Sequence, residues 1–249
     1  MGAKNTKVLV LEGGKILSQT KVLTGLETRQ AVEAAFEEAL RTAGVSKNNV
    51  GRIVVTGVGK QEFPFEHVEV SEVKADARGV IFLFPAARTV IDVGAEEGRG
   101  IKCSAEGKVV DFTLNEKCAA GTGSFTEAMA RALEVPVEKL GGLSRQSTQA
   151  IPMNAQCAVF AESEVVSLLH AKTAKPDIAR AVHEAIASRI SSMVRKIGVE
   201  KEVLLIGGLA KNAGFVDALK TDLGLEVFVP QEPEFVGALG AALIAEGES

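Results

Sequence analysis

Tryptophan and tyrosine are absent from this 249-residue chain, and aromatic residues make up only 4% of it. Platforms for stacking bases or sugars are therefore scarce. A basic excess is missing too: the formal net charge is -4 and the pI about 5.6, which argues against a nucleic-acid partner. No apolar run approaches the roughly 20 residues of a membrane span, and no basic-then-apolar leader is visible at the start. The three cysteines, Cys103, Cys118 and Cys157, form no short paired motif. Such an odd count without a leader suggests reduced thiols in a cytoplasmic protein rather than a disulfide framework. A low-complexity linker is also lacking.

What is present is regular. Hydrophobic residues at 46% and charged residues at 24% fit a globular protein with a substantial core. "KVLVLEGGKILSQTKVLTG" holds two strand-like runs joined at Gly13-Gly14, which predicts a hairpin. In "TRQAVEAAFEEALRTAG", Val32, Ala35, Phe36, Ala39 and Leu40 share one helical face, with Gly44 as the stop. "RIVVTGVG" and "RTVIDVG" predict buried strands, and "DARGVIFLF" a short helix between them. Further on, helices are expected in "TGSFTEAMARALE", "CAVFAESEVVSLLH", "PDIARAVHEAIASRISSMVRKIG", "GFVDALKTDLG" and "EFVGALGAALIAEG". Strands are expected in "EVLLIGG" and "LEVFVP". Ser124 and Glu127 have the spacing of a capping box.

Part of the pattern repeats. "GAKNTKVLVLEGGKIL" from Gly2 and "GAEEGRGIKCSAEGKVV" from Gly94 share Gly-Ala, a basic residue five positions on, and a Gly-Lys hairpin. Two related half-domains would account for this, as would a chance likeness between two hairpins. In the second copy a strand carrying Asp92 precedes the turn, whereas the first copy begins at Met1. The expectation is that an N-terminal strand with a matching Asp is missing. The halves would run 1–87 with a returning helix at about 235–249, and 88–234.

Three glycine turns, "DVGAEEGR", "AAGTGSF" and "IGGLAKNAGF", lie between strands and helices. Glycine lets backbone N–H groups approach phosphate oxygens, and a helix start adds favourable dipole charge. One such turn means little, but three in an α/β chain point to a nucleotide cleft. A P-loop is excluded, since G-x-x-x-x-G-K-[ST] does not occur.

In this order the turns, with the "GALGAA" helix, resemble the actin, Hsp70 and sugar kinase superfamily, with its duplicated RNase H-like α/β halves. "NEKCAAGTGSF", "CAVFAESEVVSLL" and "GGLAKNAGF" are similar to the BadF/BadG/BcrA/BcrD family over essentially the whole chain. That resemblance implies an ATP-hydrolysing, electron-activating subunit of a benzoyl-CoA reductase or of a 2-hydroxyacyl-CoA dehydratase system. It implies a dimer, with a second copy or a homologous subunit, and a 4Fe-4S cluster shared at the interface. Catalytic CoA-thioester reductase or dehydratase subunits would accept the electrons, and reduced ferredoxin or flavodoxin would donate them.

Residue by residue, the family's cluster ligands match Cys118 and Cys157. A four-iron cube wants four thiolates, so a second subunit must supply two. Cys118 lies just before the helix expected near Ser124 and Cys157 opens the next one, and the positive helix ends favour thiolate. Cys103 matches no ligand and is expected in the core. Asp92 would hold Mg²⁺ through water. Gly94, Gly121, Thr122 and Gly123 would surround the phosphates, Gly207, Gly208, Lys211 and Asn212 would line the adenosine side, and Lys7 would neutralise phosphate. Glu162, beside Glu164, would serve the nucleotide or the interface. Where dehydratase activators read "GGQDSK", this chain reads "GAEEGR". Glu96 there could orient or deprotonate the attacking water, and the turn is more like that of benzoyl-CoA reductase delta-type subunits. The leading expectation is therefore the benzoyl-CoA reductase system, with the dehydratase activator second. A non-hydrolysing scaffold of the same fold is the alternative from another class, and a sugar kinase leaves the thiols unexplained.

Overall fold

The computed structural model describes residues 1–25, 27–115, 122–153 and 158–247. Strands β1 (Asn5–Glu12) and β2 (Lys15–Leu23) pair antiparallel around Gly13 and Gly14, both at positive φ (57° and 73°). This is the mirror-image turn whose twist suits a two-residue hairpin. Helix α1 (Thr28–Ala43) lays Val32, Ala35, Phe36, Ala39 and Leu40 against this ribbon, and Gly44 closes it in the left-handed conformation. The "RIVVTGVG" segment is less regular than its apolar run implies. Only β3 (Val54–Val55) is a strand, parallel to β4 (Val68–Glu69). Helix α2 (Glu72–Leu83) follows, with the Ser71 hydroxyl accepting from the Lys74 N–H.

The chain then builds a larger sheet from β5 (Thr89–Val93), β6 (Gly98–Cys103) and β7 (Val109–Asn115). Helices α3 (Gly123–Ala132), α4 (Val137–Ser144), α5 (Ala158–His170) and α6 (Lys175–Val194) come next. Strand β8 (Val203–Ile206), helix α7 (Ala213–Leu223), strand β9 (Val227–Phe228) and helix α8 (Val236–Gly247) complete the fold. The sheet order is β7-β6-β5-β8-β9, with β5 antiparallel to β6 and parallel to β8. Every residue of β5 and β8 is buried, as expected of central strands covered on both faces. Ile91, Val93, Phe125, Met129, Ile186 and Leu205 share one core cluster with residues of α6 and α7.

Two compact units result: 1–87 with 103–110 and 234–249, and 88–102 with 111–233. In the first, α8 packs on α2 and β1. Its "GALGAA" run allows the helices to touch, because a Cβ on Gly240 would stand 1.7 Å from the Ala75 carbonyl oxygen. Helix α4 is absent from the sequence expectation. Its Gly141-Gly142 pair weakens helix propensity, and tertiary packing on α6 and α7 compensates. The capping-box expectation also fails. The N-cap of α3 is Thr122, and Ser124 lies inside the helix, where its N–H bonds to the Ala95 carbonyl.

Candidate nucleotide and metal site

Strands β5 and β6 close through residues 94–97, with the Gly94 N–H donating to the Glu97 carbonyl at 2.9 Å. Parallel pairing of Asp92 with Ile206 carries the following Gly207 to the mouth of this hairpin. Gly207 has φ 86°, and a Cβ there would lie 2.3 Å from Asp92 Oδ1 and 2.5 Å from the Val93 carbonyl oxygen. Only glycine meets both demands. The start of α3 reaches the same hairpin. Gly123 and Ser124 donate their N–H groups to the carbonyls of Gly94 (2.9 Å) and Ala95 (2.8 Å). Thus Asp92, Gly94, Thr122, Gly123 and Gly207, separated by up to 115 positions in sequence, meet inside one unit.

The amides of this cluster are employed within the protein. Gly207 donates to the Pro233 carbonyl at 3.0 Å, so the N–H groups of Gly94, Gly123 and Gly207 all serve turn and helix contacts here. The charge of the site lies in side chains instead. Arg99, directly across the ladder from Asp92, donates from Nη1 to Asp92 Oδ2 at 2.6 Å and from Nη2 to Glu97. Glu96 is exposed at the turn. Sequence reasoning gave Arg99 no role, although the repeat marked its position as the basic residue five after glycine.

The remaining expected residues are dispersed. Gly208 and Lys211 form a short 3-10 turn, with Lys211 half-exposed and 3.6 Å from Glu232. Asn212 caps α7 by accepting from the Phe215 N–H, and its amide contacts His183 Nε2 at 2.9 Å. His183 is buried, and burial lowers its pKa to about 4 against a smaller opposing pull from Asp217. Glu162 is exposed on α5, and Lys7 lies on β1 in the other unit. Cys118, Cys157 and Gly121 fall outside the described residues. The helices that follow them, α3 and α5, pack on each other. Asp177, at the start of α6, accepts at Oδ1 from the Ser147 hydroxyl and from the N–H groups of Thr148 and Gln149. These bonds, Ser147's first, hold its carboxyl below the usual value. Cys103 is buried and its thiol approaches the Ala87 carbonyl.

A family model described as the BadF/BadG/BcrA/BcrD ATPase family matches residues 1–245. The chain belongs to this family. It is 37% identical to the activator of lactoyl-CoA dehydratase of Anaerotignum propionicum, over 98% of this chain and 95% of that one. A benzoyl-CoA reductase component of Thauera aromatica is 30% identical, over 97% and 89%. Among solved structures, the activator of the 2-hydroxyisocaproyl-CoA dehydratase from Clostridium difficile with bound ADPNP has a TM-score of 0.93 at 36% identity. That superposition covers 98% of this chain and 91% of the other. A ROK family glucokinase from Streptomyces griseus, at 16% identity and a TM-score of 0.58, shares the fold alone. The α/β fold of this chain is therefore one that sugar kinases also have. No described helix is long and apolar enough to cross a membrane.

Proposed function

We propose that this protein is an ATP-hydrolysing electron activator that holds half of a subunit-bridging 4Fe-4S cluster. One observation carries the reading: the N-terminus of α3 is hydrogen-bonded to the Asp92 hairpin through Gly123 and Ser124. α3 follows Cys118 in the sequence, and a shift of the hairpin is passed to the start of this helix over two hydrogen bonds. α3 also packs on α5, the helix that follows Cys157 in the sequence.

The donor chemistry fits each group. Asp92 offers a hard oxygen for Mg²⁺, and glycine at 207 and 123 lets two further backbone turns close on the Asp92 hairpin, where a Cβ would collide with it. Cys118 and Cys157 are two thiolates of the four such a cluster takes, and the same pair from a second subunit completes it. The cluster would supply one-electron transfer at low potential. Asp92 would anchor the metal, with Thr122, Gly94, Gly121 and Gly123 around the phosphates. Gly207, Gly208, Lys211 and Asn212 would border the nucleoside, Asn212 chiefly by fixing the start of α7. Glu96, exposed while Glu97 is tied to Arg99, is the carboxylate available to orient water. Lys7 and Glu162 would act on phosphate and at the subunit interface. ATP can drive the change only by preferring one of two states of this hairpin.

The acceptor would be the catalytic component of a CoA-thioester enzyme, and a reduced ferredoxin or flavodoxin the donor. The stronger identities to dehydratase activators favour a 2-hydroxyacyl-CoA dehydratase. The "GAEEGR" turn favours the second reading, a benzoyl-CoA reductase. Anaerobic reconstitution should yield about two irons per chain, with the absorption of a four-iron cluster. Cys118→Ala and Cys157→Ala should each abolish it, and iron-free protein with both thiols intact would refute the proposal. Stimulation of one purified catalytic component but not the other then separates the two readings.

A further inference from the structure

Asp92 already has a cation. Its Oδ2 accepts from Arg99 Nη1 at 2.6 Å, while Oδ1 is turned toward the Gly207 backbone, where a methyl group would sit 2.3 Å away. Both partners are nearly buried, with side chains 11% exposed. The same guanidinium also holds Glu97 through Nη2. It is planar and forked, so it serves two carboxylates at once and keeps its charge at any working pH. A divalent cation drawn to Asp92 meets this fixed positive charge at close range, where burial weakens solvent screening.

We propose that Arg99 is an exchangeable counter-ion of Asp92 that makes metal binding conditional on nucleotide. With no polyphosphate present, Arg99 occupies the Asp92 carboxylate and the bare metal ion is excluded. A nucleotide phosphate gives the guanidinium another anion, and Asp92 is released to the metal. Glu97 is the tether that keeps Arg99 within reach of both positions. This selectivity suits a site that must change state only when metal and nucleotide arrive together. The inference rests on the ATPase reading above and gives Arg99 two alternative anions, the Asp92 carboxylate and the nucleotide phosphate.

The test is metal binding by the intact protein, with and without nucleotide. Mn²⁺ is titrated alone by electron paramagnetic resonance. Mg²⁺ is titrated separately against a fluorescent ATP analogue, with EDTA as the metal-free reference. Wild type should bind Mn²⁺ weakly without nucleotide, and Arg99→Gln about tenfold more tightly as the competing charge is lost. The Mg²⁺ concentration giving half-maximal analogue binding should fall by a similar factor, while metal-free analogue binding weakens. Glu97→Gln should move the Mg²⁺ requirement the opposite way, because it removes the carboxylate that competes with Asp92 for the Arg99 guanidinium. If Arg99→Gln fails to fold, Arg99→Lys decides: it keeps the charge, loses the fork, and should lie between wild type and the expected Gln behaviour. Unchanged metal dependence in the folded variants, with nucleotide binding intact, overturns the proposal and leaves the ATPase reading standing. Absence of metal-dependent analogue binding by wild type overturns both.

Discussion

The turns that begin at Gly2 and at Gly94 each close with a backbone hydrogen bond of the same span, and they differ in charge. At the first, Gly2 donates to the Asn5 carbonyl at 3.1 Å; at the second, Gly94 donates to Glu97 at 2.9 Å. Gly57, at φ 98°, presses on the Met1 carbonyl with a Cβ position 2.3 Å away, as Gly207 presses on Asp92 and Val93. The turn sequences diverge. "GAKNTK" carries Lys4 and Lys7, whereas "GAEEGR" carries Glu96, Glu97 and Arg99. A turn hydrogen bond and a facing glycine at positive φ recur in both, while the side chains give one turn a basic character and the other an acidic one with a single internal cation. Backbone conformation and electrostatic task are thus separable in this fold.

The equivalence is broken most severely at its glycines. Gly57→Ala and Gly207→Ala each impose a positive φ and a backbone clash, and each should cost about 3 kcal/mol or more in urea unfolding. Gly207→Ala should in addition abolish metal-dependent nucleotide binding, since its methyl displaces the Asp92 carboxylate. A loss of stability at only one of the two glycines would show that the hairpins are not equivalent.

A difference of similar size is buried in the second unit alone. His183 takes a proton near pH 6.5 when unfolded and only near 4 when folded. Stability is therefore fully present above about pH 6.5 and falls as the pH drops toward 4, by about 3 kcal/mol in total. Denaturant titrations across this interval should show the loss, and His183→Gln should flatten it.

Smaller effects distinguish the charged members. Asp92→Asn removes the charge that pairs with Arg99 across the ladder and should cost about 1–3 kcal/mol, whereas Lys7→Ala should stay within about 0.5 kcal/mol. At the two capped helices, Ser71→Ala should cost about 1 kcal/mol in thermal unfolding. Asn212→Ala should cost more, about 2 kcal/mol, because His183 Nε2 loses its partner as well.

Much of this was legible along the chain. The face of α1, the Gly13-Gly14 turn and the all-buried β5 and β8 follow from local periodicity and turn chemistry. Helix α4 did not, because its paired glycines mask a helix that α6 and α7 hold in place. Thr122 rather than Ser124 caps α3 because the neighbouring hairpin carbonyls claim the amides of Gly123 and Ser124. Arg99 looked like one basic residue among 28 until pairing set it opposite Asp92.

By itself, then, the amino-acid sequence determined most of the elements, the glycine turns, the repeated Gly-Ala motif and the family. These depend on spacing of a few residues and on backbone freedoms that individual side chains impose. Only the tertiary structure decided that Asp92 faces Gly207, that Arg99 pairs with Asp92 across the ladder, and that Asn212 is braced by a buried histidine. Each of those contacts follows from strand register or helix packing across long separations, where many arrangements satisfy the same local pattern and only the packed core selects one.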